Sequence, residues 1–345
     1  MCAGLTGARV RPPVAKTGDM NVLITGGAGF IGSHLADRLL ARGDAVVAVD
    51  DLSTGSLENL AAARAQPRFS VRVGSADDPR LVAEALAGCD VAVHLAAAVG
   101  VRLIVERPVR TIETNVRATE VVLAAAAKRS TKVLLASTSE VYGKGSRVPF
   151  HEDDDLTLGA TVKSRWAYAC SKALDEWLAF AYASERRLPV VVARLFNTVG
   201  PRQTGRYGMV LPTFARQALR GEPITVHGSG RQSRCFGHVA DAVEALVRLI
   251  DAPAAVGRVF NVGSDEETTI DDLAQRVKDA AQSASPIVHV PYDEAYAAGF
   301  EDMARRVPDV RRLEECTGFR PRIALARMID DVVEDQRRQL AKKPE

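Results

Sequence analysis

Cysteine is sparse and scattered in this sequence: Cys2, Cys89, Cys170, Cys235 and Cys316 form no CxxC pair and no Cys/His cluster at metal-ligand spacing. That pattern excludes zinc ribbons and fingers, so no metal is expected. An odd, dispersed set reads as reduced thiols in a cytoplasmic protein rather than a disulfide framework. No apolar run reaches membrane-spanning length. The stretch from Met1 to Asp19 holds Arg, Pro and Gly but no apolar h-region, so it does not read as a secretory signal. It is expected to be a disordered leader (1–19), with the fold beginning at Met20. An excess of one charge is also missing, since 45 Lys and Arg against 43 Asp and Glu leave a formal +2. Near-neutrality argues against nucleic acid or an anionic membrane as the main partner, and leaves room for an anionic small molecule held by a few arginines. Aromatics are few at 5%, while 47% hydrophobic and 26% charged residues over a length of 345 allow one large or two modest domains with real cores. No internal repeat or low-complexity segment is present.

Short apolar runs alternate with helical stretches from Asn21 to about Val192. Val22–Thr25, Ala45–Val49, Val71–Val73, Val91–Leu95, Val133–Ser137 and Val190–Ala193 are continuous, often β-branched, and bounded by Gly, Asp or Asn. Such runs suit parallel strands covered on both faces. Ser33–Arg42, Pro79–Ala87, Val109–Arg129 and Trp166–Arg186 read as the intervening helices. The alternation predicts an α/β fold, a doubly wound parallel sheet of the Rossmann type. After Asn197 glycine, proline and arginine become frequent, the strands shorten (Ile224–Val226, Val259–Val262), and helices such as Asp271–Ala280 are amphipathic. A smaller C-terminal substrate-binding lobe is expected over the carboxyl ends of the sheet. Residues 20–197 and 232–263 are assigned to the dinucleotide-binding domain and 198–231 and 264–345 to the lobe.

The first strand runs directly into glycines at 26, 29 and 32, a GxxGxxG spacing that opens a helix. Gly26 permits a tight turn, Gly29 lets the backbone approach a pyrophosphate, and Gly32 lets the helix pack on the strand. The N–H groups of Phe30 and Ile31 at the helix start are donors for the anion. The second strand ends in Asp50-Asp51, about two dozen residues past Gly26, where an acid accepts hydrogen bonds from an adenosine ribose and repels a 2′-phosphate. NAD is therefore the expected cofactor. Leu95 and Ala96, where the fourth strand ends, belong on the same side.

Tyr168-Ala-Cys-Ser-Lys172 places a tyrosine and a lysine four apart, on one face of a helix. A neighbouring ammonium favours phenolate, so the pair predicts a general acid/base with a lowered pKa. A hydroxyl-rich strand end, Ala136-Ser-Thr-Ser-Glu-Val-Tyr-Gly143, lies at the carboxyl edge where ligands bind in such sheets. His94, in His-Leu-Ala-Ala, reads as a packing residue on the cofactor side rather than a base, and His238 as a structural residue at a helix start.

These residues resemble the extended short-chain dehydrogenase/reductases, specifically the NAD-dependent sugar-nucleotide epimerases, dehydratases and decarboxylases, from Met20 to about Val333. The resemblance implies Tyr168 as acid/base, Lys172 orienting the nicotinamide ribose and tuning Tyr168, and Thr138 bonding the substrate beside Ser139 and Glu140. It implies for Asn115, in Thr111-Ile-Glu-Thr-Asn115-Val, the asparagine that organises the central helix. Gly74-Ser75 departs from the pattern, which has Asp after this Gly in contact with adenine. In the substrate lobe, Asn197 of Arg194-Leu-Phe-Asn-Thr-Val-Gly-Pro201 is implied to reach a sugar diphosphate, and the stretch beginning at Val210 to cover the nucleotide base. Arg234 is implied to meet a phosphate, and Asp302 to bind a ribose. A UDP-sugar is the expected substrate, a homodimer built on Val109–Arg129 and Trp166–Arg186 the expected assembly.

The chemistry implied is transient oxidation at C4 of the sugar. Thr138-Ser139-Glu140 lacks the middle acid of the dehydratases, which disfavours dehydration. Ala98-Val-Gly-Val-Arg102, with Pro108 after it, resembles UDP-glucuronate 4-epimerases, and the first reading is a 4-epimerase on UDP-glucuronate or UDP-glucose. The Ser-Thr-Ser-Glu-Val-Tyr-Gly stretch, Arg165-Trp166, Arg234-Cys-Phe236 and Val310-Arg311 resemble UDP-glucuronate decarboxylases, the alternative. Whether Arg102, Arg206, Arg311 or backbone donors hold the uronate carboxylate stays open. Retention of Tyr168, Lys172 and Thr138 disfavours a non-catalytic NAD-binding scaffold.

Overall fold

The computed structural model describes residues 19–99, 108–145, 147–205, 209–295, 303 and 305–342. The apolar runs become β1 (Asn21–Thr25), β2 (Ala45–Asp50), β3 (Phe69–Val73), β4 (Val91–His94), β5 (Lys132–Thr138) and β6 (Val190–Leu195). Later come β7 (Thr198–Val199), β8 (Ile224–His227), β9 (Ser233–Cys235), β10 (Gly237–His238), β11 (Arg258–Val262), β12 (Glu267–Thr269) and β13 (Ile287–Val290). A seven-stranded sheet orders these β11-β6-β5-β4-β1-β2-β3. Every neighbour in it is parallel, with Leu23 opposite Val47 on one side and Ala92 on the other. This is a Rossmann sheet with β11 added at one edge. The strand order reverses between β1 and β4, which opens a crevice at their carboxyl ends.

Burial of both sheet faces explains why the strands read as unbroken apolar runs. Val22 and Ile24 join Leu35 and Leu39 of the Phe30–Arg42 helix and the Val239–Asp251 helix in one core. Leu23, pointing the other way along the same strand, packs with Val82, Val121, Val122 and Ala179 of the helices Pro79–Ala85, Pro108–Ala127 and Ala167–Arg186. A third core has its own membership: Leu211, Phe214, Ile224, Leu273, Val277, Met328 and Val332. It joins the helices Val210–Arg220, Ile270–Ala280 and Leu325–Lys342 beyond the carboxyl edge. The helix at Pro79 starts where expected and the others shift by one to three residues, the first because the glycine turn is taken up directly into the helix at Phe30. Among the described residues no helix is long and apolar enough to cross a membrane.

One long-range tether matters for the site. Phe150 accepts from the Asp309 N–H (2.8 Å) and donates to the Val307 carbonyl (2.8 Å). The fully buried Asn261 amide donates to the carbonyls of both Phe150 (2.9 Å) and Asp309 (3.1 Å). The segment around Arg306 is thereby pinned beside the end of β5.

Candidate active site

A single cleft of about 1520 Å³ runs along the carboxyl edge, from the glycine turn to the last helix. That exceeds the roughly 300–1,000 Å³ of a pocket for one drug-sized ligand, and suits two nucleotides lying end to end.

At one end Gly26 turns with φ +71°, and a Cβ there would sit 2.8 Å from the Ala96 nitrogen. A Cβ on Gly32 would lie 2.1 Å from the Gly26 carbonyl oxygen, so neither position admits a side chain. Gly29 meets only the Gly26 oxygen, at 3.1 Å, and leaves the space in front open. It caps the helix without a side-chain bond, and the first turn holds no acid. The N–H groups of Phe30 and Ile31 thus face the cleft free of competing carboxylates, a cradle that fits a pyrophosphate. Asp50 is buried at the end of β2, where its carboxylate accepts from the N–H groups of Ala28 (2.9 Å) and Leu52 (2.8 Å). Those bonds hold the acid still at the cleft wall, beside Asp51. Leu95 and Ala96 line the opposite wall, and Asp77 lies near the expected adenine side where Ser75 replaces the resemblance's acid.

Past the switch point the β5 end contributes Thr138, Ser139 and Glu140. Thr138 caps the short turn Ser139–Tyr142 by accepting from the Glu140 N–H (3.2 Å), and its hydroxyl is hydrogen-bonded to the Tyr168 phenol. Glu140 is clamped by both terminal guanidinium nitrogens of Arg165, one at 3.0 Å from Oε1, with Arg306 3.5 Å from the same oxygen. Burial pushes the Glu140 carboxyl up, but Arg165, Arg306 and Arg234 more than offset this and hold it below the usual carboxylate range. Glu140 is therefore a fixed anion. Arg306 also donates to the Ser139 hydroxyl (3.4 Å).

The tyrosine departs from expectation. Burial first, and the Glu140 charge second, push the Tyr168 phenol above its ordinary range. The lysine that was expected to lower it is instead drawn to Asp175, with Nζ 2.7 Å from Oδ2. Asn115 stands behind the cleft wall: it accepts from the Ala98 N–H (2.7 Å) and donates to the Ser171 hydroxyl (3.1 Å), tying the β4 exit to the Ala167–Arg186 helix.

Toward the lobe, Asn197, Val210 and Arg234 all line the cleft. Asn197 is anchored to the Cys235 carbonyl (2.9 Å). Arg311 does not line it. Its side chain is 73% exposed and clamps Asp309 at 2.5 Å, at the start of the Arg311–Thr317 helix beyond the pinned segment. Arg306, five residues earlier, lines the cleft instead. The Arg-Arg-Val-Pro run contained it, but nothing in the pattern chose among its arginines. Arg102, Arg206 and Asp302 lie outside the described residues. His94 is buried between the hydroxyls of Thr25 (2.7 Å) and Thr119 (3.2 Å). Burial and the Lys172 charge bring it down to about 3, so it stays neutral. His238 caps its helix by accepting from the Ala240 N–H (3.1 Å).

Residues 22–263 match the family model described as NAD dependent epimerase/dehydratase family. The chain belongs to this family. NAD is its cofactor; the glycine cradle and Asp50 fit a dinucleotide, and Lys172 lines the same cleft. The chain is 43% identical over 316 residues to a UDP-N-acetyl-alpha-D-glucosaminuronate decarboxylase of Bacillus cytotoxicus, covering 90% of this chain and 96% of that one. It is 36% identical over 340 residues to UDP-glucuronic acid decarboxylase 2 of Arabidopsis thaliana, covering 98% of this chain and 72% of that one. Among solved structures, the UDP-glucose 4-epimerase of Thermotoga maritima superposes with a TM-score of 0.83 at 30% identity, over 93% of this chain and all (100%) of that one.

Proposed function

We propose that this protein is an NAD-dependent decarboxylase of a UDP-linked uronate. The observation that carries the reading is the Arg306–Ser139–Glu140–Arg165 cluster beside Tyr168, which offers a carboxylate-bearing sugar both a guanidinium and a hydroxyl. The sequence favoured a 4-epimerase; the names of the two relatives reverse that order. The similarity to a solved UDP-glucose 4-epimerase keeps epimerisation as the second reading.

Bound NAD supplies a reversible hydride acceptor. Tyr168, hydrogen-bonded to Thr138, takes the proton from the 4-hydroxyl as C4 is oxidised. A uronate oxidised at C4 is a β-keto acid, so its C5–C6 bond breaks with the electron pair flowing into the ketone and carbon dioxide leaving. Tyr168 and Thr138 then hold the enolate oxygen by hydrogen bonds. Arg306 and Ser139 orient the carboxylate so that the breaking bond overlaps the carbonyl π system. Arg165 keeps Glu140 charged and still, so the wall does not take up protons during turnover. After C5 takes a proton from water, Tyr168 returns the 4-hydroxyl proton as C4 is reduced.

The test is incubation with UDP-glucuronate and, in parallel, UDP-N-acetylglucosaminuronate, with proton NMR and carbon dioxide release as readouts. Decarboxylation gives pentose-type signals with gas release. A galacto-configured uronate of unchanged mass would instead establish the epimerase.

The same reading includes a homodimer. Val109 (67% exposed) and Ile112 on one long helix, and Leu174 and Trp177 (64% exposed) on its neighbour, form an apolar face that is left exposed among the described residues. A second copy, packing helix pair on helix pair, would bury it. Trp177→Asp is expected to convert the dimer to monomer in sedimentation. A wild-type chain that is already monomeric at micromolar concentration would refute this assembly.

A further inference from the structure

Lys172 and Asp175 are both buried, with 2% and 0% of their side chains exposed, and lie three apart on the Ala167–Arg186 helix. Lys172 lines the cleft beside Tyr168, whereas nothing so far gives the aspartate a role. Asp175 is not part of the lobe, does not line the cleft and touches no surface. A buried pair of opposite charges adds little stability over an apolar pair of the same volume. Its Oδ1 has no hydrogen-bond partner, and an unsatisfied buried oxygen calls for a functional account.

The surroundings supply one. The Thr119 side chain, on the Pro108–Ala127 helix, lies beside the Asp175 carboxylate and favours its charged form. Thr119 meets Nε2 of His94 at 3.2 Å, Nδ1 of His94 meets the Thr25 hydroxyl at 2.7 Å, and Thr25 accepts from the Ala96 N–H at 3.3 Å. A continuous buried line thus joins Lys172 to the backbone that walls the glycine turn.

We propose that Asp175 is a positioning residue for the Tyr168–Lys172 pair, holding the lysine ammonium at the cleft floor through this line and placing a fixed negative charge behind the phenol. The inference rests on the acid/base reading of Tyr168 and not on which uronate is the substrate. The charged and titratable groups facing the pair are few. Glu176 lies on the same helix, where Arg194 neutralises it at 2.7 Å. His94 comes from β4 and is neutral. Glu140 and Arg165 come from the β5 turn and the segment before the helix. Asp175 is the counter-charge that contacts Lys172 directly. It is also one of the anions that push Tyr168 up.

Asp175→Asn keeps the shape and one hydrogen bond while removing the charge. NADH binding, titrated by fluorescence without substrate, is expected to weaken by about tenfold, the effect of losing one charge-assisted interaction. The acid limb of the kcat/KM pH profile is expected to move to lower pH, because without the anion Tyr168 ionises more readily. A merely structural role would scale the profile without moving that limb. Should the asparagine variant fail to fold, Thr119→Val is expected to show the same two shifts at reduced size, with Thr119→Ser restoring wild-type behaviour. An unshifted profile with unchanged NADH affinity overturns the proposal alone. Turnover surviving in Tyr168→Phe overturns the acid/base reading, and the proposal with it.

Discussion

Tyr168→Phe is expected to lower kcat by about 10²–10⁴-fold, the range for loss of a positioned general acid/base. The ring stays in its buried seat, so the fold is retained and only the hydroxyl bonded to Thr138 is lost. The substitution removes the group that takes the 4-hydroxyl proton and later returns it, so both the oxidation and the reduction slow. NADH should still bind, because the glycine cradle, Asp50 and Lys172 are untouched. Stopped-flow turnover together with an NADH titration checks both halves. A variant that turns over within a few-fold of wild type would remove Tyr168 from the mechanism.

Arg306→Gln has a different signature. Loss of carbon dioxide is expected to fall by about 10²–10³-fold, as for removal of one preorganised electrostatic donor. Oxidation at C4 needs only Tyr168 and its neighbours and should persist. Oxidised sugar and reduced cofactor should therefore accumulate together, visible as a slow rise in near-ultraviolet absorbance without gas release. The variant also takes away one of the guanidinium groups that hold Glu140 below the usual carboxylate range. Glu140 then takes up its proton at higher pH, so residual activity should fail earlier on the acid side. Arg306→Lys keeps the charge without the planar fork and should recover only part of the rate. If Arg306→Gln slows oxidation and decarboxylation equally, Arg306 acts on binding or folding instead.

The parts of this site that could be read in the sequence are those set by backbone geometry. Gly26, Gly29 and Gly32 are legible because only a missing Cβ satisfies the 2.1–2.8 Å approaches found at the first and third. The strands were legible because a sheet buried on both faces demands unbroken apolar runs. Tyr168 and Lys172 were legible as a pair, since helical spacing puts them on one face. What spacing could not show was charge routing. The lysine's partner is three residues further along its own helix, yet Asp175 gives the same local signal as any helical acid. The choice of Arg306 over Arg311 depends on Phe150 and Asn261, which lie far away in sequence and pin the 307–309 backbone. Two residues read as substrate ligands, Arg102 and Asp302, lie outside the described residues.

The separate core of the lobe has an evolutionary consequence. Leu211, Phe214, Ile224, Leu273, Met328 and Val332 pack with one another and not with the sheet cores. Substitutions that reshape the sugar end of the cleft are absorbed there without disturbing the strands that hold Gly26, Asp50 and Thr138. Descendants of such a chain can therefore diverge in the nucleotide sugar they accept while inheriting the redox half intact, and a family of many substrates on one oxidising engine is the outcome that this packing permits.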